Sequence, residues 1–277
     1  MSILENEEIW LRNSTVMNDF SEISYGFQLL EDGLQSGSGL EFQKELNRIF
    51  PDILGDVAQV IARWELDIRR NTFLSSISLH DASEDQNGRL SMWRAYGNTA
   101  LVVNSTPFTA VTDDLGAYSM PVEYLNSEEF KEKLQKIAQN IQANRHELTS
   151  LGREAVLEFV YNMVKTVAIG TKHPGFAEEK EWRIFFSPGQ QVHGPIKRKT
   201  VTIEGVPQLI YRIPLKNSPQ EGLFGADIPS FIERIIVGPT EYQVVSCQAF
   251  EEVLNRKGIG NASERIVCSN IPLRVRR

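Results

Sequence analysis

The sequence predicts an α+β fold, in which a mainly antiparallel, split sheet carries helices on one side and a helical hairpin is inserted between strands. Strand-like and helix-like segments follow a mixed order, without the regular alternation that predicts a doubly wound parallel sheet. Near the middle of the chain the apolar spacing changes to a long helical period, and no linker-like composition surrounds it. The chain has 277 residues and is 41% hydrophobic. We therefore expect one domain over residues 1–277, with the helical insertion at about 127–170.

The first half of the chain supplies the early strands and helices. "EIWLRN" (8–13) is a short extended candidate. A helix is expected to start at Asn18 or Asp19, because both residue types cap helices and Glu22 lies at capping-box distance from Asp19. The next predicted elements are two helices, a strand, a polar loop, a helical turn and two strands, at about 40–50, 52–70, 71–79, 80–89, 90–97, 98–104 and 120–125.

The insertion is predicted from two apolar stripes at helical spacing. The stripes are Phe130, Leu134, Ile137, Ile141 and Leu148, and then Leu151, Ala155, Phe159, Met163 and Val167. After the turn "KHPG" (172–175), strands are predicted at about 179–187, 199–204, 209–214 and 233–237. A helix between Tyr242 and Gly258 and two short strands complete the prediction.

Composition narrows the class of protein. The net charge is −7, with Lys+Arg 29 against Asp+Glu 36, which disfavours broad nucleic-acid binding because that needs a basic surface. The basic segments "IKRK" (196–199) and "RVRR" (274–277) are interpreted as solvated turns and ends. The two cysteines and the isolated histidines have no metal-ligand spacing, so no metal is expected. Without a membrane-span or signal-peptide pattern, we expect a cytoplasmic protein with no membrane partner.

Four polar clusters interrupt otherwise apolar elements, and together they predict a shared cleft. The clusters are residues 12–22; Ser75, Ser76 and Ser78; Trp93 and Tyr96; and Glu179, Glu181 and Arg183. The last three residues stand at every second position, so in a strand they share one face. Each cluster also has a structural explanation: a helix cap, serine–backbone hydrogen bonds, core aromatics and a cross-face ion pair.

Five phrases of the sequence resemble those of a widespread bacterial family of domains of unknown function, numbered twenty-nine seventy-one. They are "NDFSE" (18–22), "FLSSIS" (73–78), "LSMWRAY" (90–96), "KHPGFAEEKEWR" (172–183) and "IIVGP" (235–239). They occur in the family's order, and the fourth phrase is the most specific. Phe20 departs from the pattern, because the family usually has proline after N-D.

The layout of these phrases is similar to that of the ADP-ribosyltransferases, and the resemblance implies roles in binding NAD as a substrate. Arg12 would steady the NAD phosphates or ribose, Ser76 and Ser78 would hold the nicotinamide–ribose part, and Trp93 or Tyr96 would stack on nicotinamide. Glu181, positioned by Arg183, would stabilise the sugar cation, and Glu179 would face the acceptor. Asn18, Asp19 and Glu22 would support the start of the first long helix beside the cleft.

Three functions remain open at this point. The first is an ADP-ribosyltransferase-like enzyme that transfers ADP-ribose to an unknown protein or nucleic acid, an activity that would suit anti-phage or toxin-type bacterial defence. The second is a non-catalytic module that binds a nucleotide or a protein. The third is a metal-dependent nuclease, since Glu178 and Lys180 have E-x-K spacing. That chemistry needs a nearby upstream aspartate, and "KHPGFA" contains none.

Overall fold

The computed structural model of the chain describes residues 1–17, 22–110, 116–188 and 195–272. Its strands are β1 (Glu8–Asn13), β2 (Phe73–Ser78), β3 (Thr99–Val103), β4 (Tyr118–Pro121), β5 (Glu123–Tyr124), β6 (Thr171–Lys172), β7 (Glu181–Phe186), β8 (Lys197–Ile203), β9 (Val206–Pro214), β10 (Ile232–Val237) and β11 (Ile266–Cys268). Its α-helices are α1 (Ser2–Asn6), α2 (Glu22–Leu34), α3 (Gly37–Ile49), α4 (Ile53–Asn71), α5 (Leu90–Tyr96), α6 (Thr106–Thr109), α7 (Ser127–Ala143), α8 (Arg145–Leu151), α9 (Arg153–Gly170), α10 (Ile228–Phe231) and α11 (Gln243–Arg256).

The main sheet has six strands in the order β4-β7-β2-β1-β9-β8, and every neighbouring pair is antiparallel. A second sheet joins β10 to β3 in antiparallel and to β11 in parallel fashion. A small parallel pair, β5 and β6, lies at the end of α9. The predicted α+β class with a mainly antiparallel, divided sheet is confirmed.

The two faces of the main sheet pack against different layers, because side chains alternate along each strand. Leu74 and Phe185 contribute to a core shared with helices α2, α3, α4, α7 and α9, which we call the helical layer. Their neighbours Phe73 and Ile184 point the other way, into a core shared with β10 and α11. Helices therefore lie on both sides of the sheet. The prediction of helices on one side is wrong for α11, whose buried residues Phe250 and Leu254 pack on the second face.

Local signals explain where the longer helices begin and how closely they pack. Ser36 accepts a hydrogen bond from the backbone N–H of Gly39 and caps α3, and Asn126 and Glu129 form a capping box at the start of α7. At the contact of α2 with α9, a Cβ added to Gly26 would lie 2.7 Å from the Cα of Ala168. Only glycine permits this close approach of the two helices.

The predicted insertion corresponds to α7, α8 and α9, and the apolar stripe predicted for its second half is displaced by one residue. Phe159 is 53% exposed, whereas Val160 and Val164 are buried. Apolar residues also stand next to the predicted stripe, at Val156, Val160 and Val164, so a second stripe one residue along fits the sequence as well. Among the described residues no helix is long and apolar enough to cross a membrane.

Three predicted strands also need correction. The segment predicted as one strand at 120–125 contains β4 and β5, separated at Val122. The strand predicted to begin at residue 179 begins at Glu181, because residues Pro174–Glu179 form a 3-10 helix. Of the two short strands predicted at the end of the chain, the described residues contain β11 alone.

Candidate functional site

A pocket with a volume of about 340 Å³ opens on the helical-layer face of the main sheet. Residues of β1 and β2 line it, together with the first residue of β7. Its lining combines charged, hydroxyl and apolar side chains: Arg12, Met17, Ser75, Ser76, Ile77, Ser78, Met92, Tyr96, Lys172, Glu179 and Glu181. This mixture of apolar walls and a few convergent polar groups is typical of small-molecule sites.

Strand register brings the first polar groups of the pocket together. Ser76 lies opposite Arg183, and Ser78 lies opposite Glu181, in the antiparallel pairing of β2 with β7. Directly opposed residues share a face of the sheet. The hydroxyl of Ser76 donates a hydrogen bond to Oε1 of Glu181 at 2.5 Å. The predicted meeting of Ser76 and Glu181 on one face is confirmed by this contact.

Glu181 is the buried carboxylate at the pocket wall, with 5% of its surface exposed. Nε of Arg183 donates to its Oε1 at 2.7 Å, and Nζ of Lys172 donates to its Oε2 at 3.2 Å. Its backbone N–H donates to the hydroxyl of Tyr124 at 2.7 Å. The carboxylate is therefore fixed by several donors, among them the Arg183 expected to position it.

The charge state of Glu181 follows from two opposed effects. Burial disfavours the ionised carboxylate, but the charge and hydrogen bond of Arg183, the Ser76 hydroxyl and the charge of Lys172 outweigh it. The pKa of Glu181 is consequently lowered from its ordinary value. At neutral pH this side chain is an anion in a preorganised setting.

Glu179 reaches the same pocket from the 3-10 helix rather than from the strand. Its Oε2 accepts a hydrogen bond from Nζ of Lys172 at 2.6 Å, and its Oε1 accepts one from the hydroxyl of Tyr96 at 2.6 Å. Burial and this bond to Glu179 raise the pKa of Tyr96. Lys172, which is 2% exposed, thus bridges both carboxylates, Glu179 and Glu181.

Arg12 also lines the pocket. Its Nη2 donates to the backbone carbonyl of Val16 at 3.1 Å, and its Nε donates to Oε1 of Gln208 at 3.2 Å. These contacts hold the guanidinium at the pocket. The position agrees with the ligand-binding role expected for Arg12.

Ser78 and Arg89 fasten the turn that carries Glu179. The hydroxyl of Ser78 donates to the carbonyl of Glu179 and accepts from Nη1 of Arg89 at 2.9 Å. The same nitrogen of Arg89 donates to the carbonyl of Glu178 at 2.7 Å. Nε of Arg89 also donates to Oε1 of Glu84 at 2.8 Å. Ser78 lines the pocket, but its hydroxyl is engaged in holding the polypeptide around it.

Trp93 lies away from the pocket, although the sequence placed it among the ligand-binding residues. It is 8% exposed, and its Nε1 donates to the carbonyl of Asn87 at 2.7 Å. Its ring packs on Gly238, where an added Cβ would lie 2.9 Å from Cδ2 of the indole. Tyr96, one helical turn later, faces the pocket and is half exposed. The core explanation therefore holds for Trp93 and not for Tyr96.

Two further groups of predicted site residues need comment. Arg183 is completely buried beneath Glu181, so it positions the carboxylate and cannot itself contact a ligand. Asn18, Asp19 and the side chain of Glu22 lie outside the described residues.

Glu178 and Lys180 lie at the surface beside the pocket, and Nζ of Lys180 donates to Oδ2 of Asp81 at 3.2 Å. Within the described ranges no three acidic, histidine or cysteine side chains form a metal-binding group.

Sequence reasoning missed Lys172 and Arg89 as site residues. Lys172 opens the phrase "KHPGFAEEKEWR", and its place in that phrase was the available signal. Arg89 stands at the end of a polar loop, and nothing local distinguishes it from a solvated arginine. Both reach the site only through tertiary packing.

A family model matches a segment of the chain that contains several of these pocket residues. Residues 92–184 match the model of a family described as Protein of unknown function (DUF2971). The family resemblance is confirmed over this segment. The DUF2971 segment contributes Tyr96, Lys172, Glu179 and Glu181 to the pocket, whereas Arg12 and Ser76 precede it. No curated protein and no solved structure matches the chain significantly.

Proposed function

We propose that the pocket binds NAD and cleaves its nicotinamide–ribose bond, so that ADP-ribose passes to a macromolecular acceptor. The observation that carries this proposal is the fixed, ionised carboxylate of Glu181 at the pocket wall. The mainly antiparallel, divided sheet and the order of Arg12, Ser76 and Glu181 along the chain also agree with an ADP-ribosyltransferase-like layout. Likeness of layout alone does not define a function.

The chemistry requires an anion where positive charge develops. When the C1′–N1 bond breaks, its electron pair leaves with nicotinamide and positive charge appears on the ribose. A carboxylate that is already ionised and held in place stabilises this charge without reorganisation. Arg183, Ser76 and Lys172 provide that holding for Glu181. They orient the carboxylate, and the pocket volume accommodates a nucleoside-sized group.

The remaining groups have complementary roles in this proposal. A hydroxyl or amine of the acceptor forms the new bond to C1′, and its proton passes to the carboxylate of Glu179. Tyr96 and Lys172 orient Glu179 for this role. Arg12, which also lines the pocket, binds the phosphate next to the ribose.

The direct experiment measures nicotinamide release from NAD with water, protein or nucleic acid as the acceptor. We expect Glu181→Gln to lower turnover by roughly 10²–10³-fold, the scale of removing one transition-state stabiliser. The substitution also deprives buried Arg183 of its counter-ion, so rates are measured far below the melting temperature and per folded protein. Ser76→Ala provides a milder second variant, because it removes a single hydrogen bond to the carboxylate.

Glu178→Gln is the matched control, since Glu178 has an exposed side chain in the same 3-10 helix as Glu179 and does not line the pocket. It should release nicotinamide at the parent rate. A parent protein that releases no nicotinamide with any of these acceptors would overturn the proposed reaction.

A second candidate function is nucleotide binding without turnover. It is favoured by the same donors around Glu181, because Arg183 and Lys172 offset the two carboxylates and leave the pocket with little net negative charge. Under this hypothesis NAD or a related nucleotide raises the melting temperature, and nicotinamide is not released. The same assay and a thermal-shift measurement therefore separate the two functions.

A further inference from the structure

The basic sequence "KRK" (197–199) begins β8, the edge strand of the main sheet, and its three side chains are exposed. In the pairing of β8 with β9, Lys199 lies opposite Ile210. In the pairing of β9 with β1, Ile210 lies opposite Arg12. Directly opposed residues share a face, so Lys199 lies on the face of the sheet that carries the pocket.

Lys197 continues the same face. It lies two residues from Lys199 along β8 and opposite Arg212, which is paired with Glu8. Arg198, between the two lysines, lies opposite Tyr211 and therefore belongs to the other face. Arg12, Lys199 and Lys197 thus form a line of cations that starts at the pocket wall. We call these three residues the basic strip.

The spacing of the basic strip suits a ligand that extends out of the pocket. Neighbouring strands lie about 4.8 Å apart, so the Cα atoms of Arg12 and Lys199 are about 10 Å apart across β9. Arginine and lysine side chains are long enough to reach toward each other over that span. A phosphate or pyrophosphate between them could contact both.

The size of the pocket indicates why a second subsite is needed. Its volume of about 340 Å³ lies near the lower end of the range for ligand pockets, roughly 300–1,000 Å³. A dinucleotide contains two nucleosides and a pyrophosphate. If the nicotinamide ribose fills the pocket, the phosphates leave it past Arg12 and across β9 toward Lys199 on β8.

We propose that the basic strip, Arg12, Lys199 and Lys197, binds the pyrophosphate half of a dinucleotide whose nicotinamide ribose occupies the pocket. This inference rests on the proposed function for the identity of the ligand. The attraction between the lysine ammonium groups and the phosphates supports this inference. These lysines are exposed cations on a chain whose net charge is −7. The competing role for these lysines is to keep an exposed edge strand from pairing with other chains.

The test measures binding of ADP-ribose and of nicotinamide mononucleotide by calorimetry at low and moderate salt. The double variant Lys197→Gln/Lys199→Gln should weaken ADP-ribose binding about tenfold at low salt, with a smaller loss at higher salt because exposed charges are screened. Nicotinamide mononucleotide lacks the outer nucleotide, so its affinity should change by less than about twofold.

The matched control is Lys131→Gln/Lys133→Gln on α7, which removes the same charge from another exposed surface. Its affinity for ADP-ribose should equal that of the parent. Equal affinity of the β8 variant and the parent would overturn the inference even if nicotinamide release proceeds, and aggregation of that variant would then assign the lysines to edge protection. Absence of ADP-ribose binding by the parent would also overturn it. Strip-dependent binding of ADP-ribose without nicotinamide release would support the inference while overturning the proposed reaction.

Discussion

Nε of Arg183 donates a hydrogen bond to Oε1 of Glu181 at 2.7 Å, although the two residues stand only two positions apart on β7. Neighbouring side chains on one face of a strand can meet in this way when a donor as long as arginine turns back along the strand. The arginine is completely buried and the glutamate is 5% exposed. Glu181 at the start of β7 therefore belongs to a buried ion pair and also lines the pocket.

Breaking this ion pair from the arginine side should destabilise the fold strongly. Arg183→Met leaves Glu181 buried beside a methyl group, and removal of one partner of a buried pair costs about 3–5 kcal/mol. Lys172 and Ser76 still contact the carboxylate, which favours the lower end of that range. Urea unfolding of the parent and the variant measures the difference.

Lys44→Met is the matched control for that substitution, because Lys44 and Glu41 form an exposed pair on α3. Its unfolding free energy should change by less than about 1 kcal/mol. An Arg183→Met protein as stable as this control would show that the buried pair contributes nothing.

Stability should fall in acid partly through Glu181. Its pKa is lowered in the folded protein, so its contribution is complete at neutral pH, above its ordinary value of about 4.3. The contribution is lost as the pH falls through that value toward the folded pKa. We therefore expect the unfolding free energy of the parent to decrease more steeply from about pH 5 to pH 3 than that of Glu181→Gln.

The comparison isolates one group, because Glu45 and Glu84, whose pKa values are also lowered, are present in both proteins. Free energies from urea unfolding at several pH values give the two curves. Parallel curves would mean that Glu181 has the same pKa in the folded and unfolded chains.

Trp93 and Tyr96 should contribute very differently to stability. Trp93→Ala removes a buried ring and should lower the unfolding free energy by about 3–5 kcal/mol. Gly238→Ala should also destabilise, since its Cβ would lie 2.9 Å from the ring. Tyr96→Phe removes one hydrogen bond to Glu179 and should cost about 0.5–1.5 kcal/mol.

Ligand binding distinguishes the two aromatics in a second way. At a temperature where both variants are folded, Tyr96→Phe should weaken binding in the pocket, and Gly238→Ala should not. A stable Trp93→Ala protein with impaired binding would return Trp93 to the site.

Cys247 should react slowly with alkylating reagents. Burial, a hydrogen bond with Cys268 and repulsion between the two thiols raise its pKa to about 12. Only the thiolate is nucleophilic, so at pH 8 alkylation should be at least about 100-fold slower than for a free thiol. Mass spectrometry after a timed iodoacetamide pulse measures the rate, with the urea-unfolded chain as the reference. Equal rates in the folded and unfolded chains would contradict the half-buried, paired position of this thiol.

Much of the fold could be predicted from local sequence patterns, and the errors of the prediction have local reasons. Strands β1, β2, β3, β9 and β10 and helices α3, α4, α5 and α7 lie close to their predicted positions. For α9 neighbouring apolar residues allowed two stripes. For Glu179, Pro174 begins a 3-10 helix and Lys180, left-handed at φ 45°, ends it, where an extended strand was expected.

The site was predictable only where strand geometry determines it. The spacing of Glu181 and Arg183 required a shared face, and their contact confirms it. Which of Trp93 and Tyr96 faces inward depends on Gly238, far away in sequence. The bridge from Lys172 to both carboxylates depends on how α9 packs, which no local pattern records.

The bridge from Lys172 to the two carboxylates makes the close contact between Gly26 and Ala168 relevant to the pocket. Lys172 lies two residues after the end of α9, so the spacing of α9 from α2 influences how far its ammonium group stands from the carboxylates of Glu179 and Glu181. A bulkier residue at position 26 would lift the helix and loosen the bridge without touching any group that meets the ligand. The charge balance of the pocket is therefore adjustable by residues that do not line it and that alter only how tightly two helices are stacked.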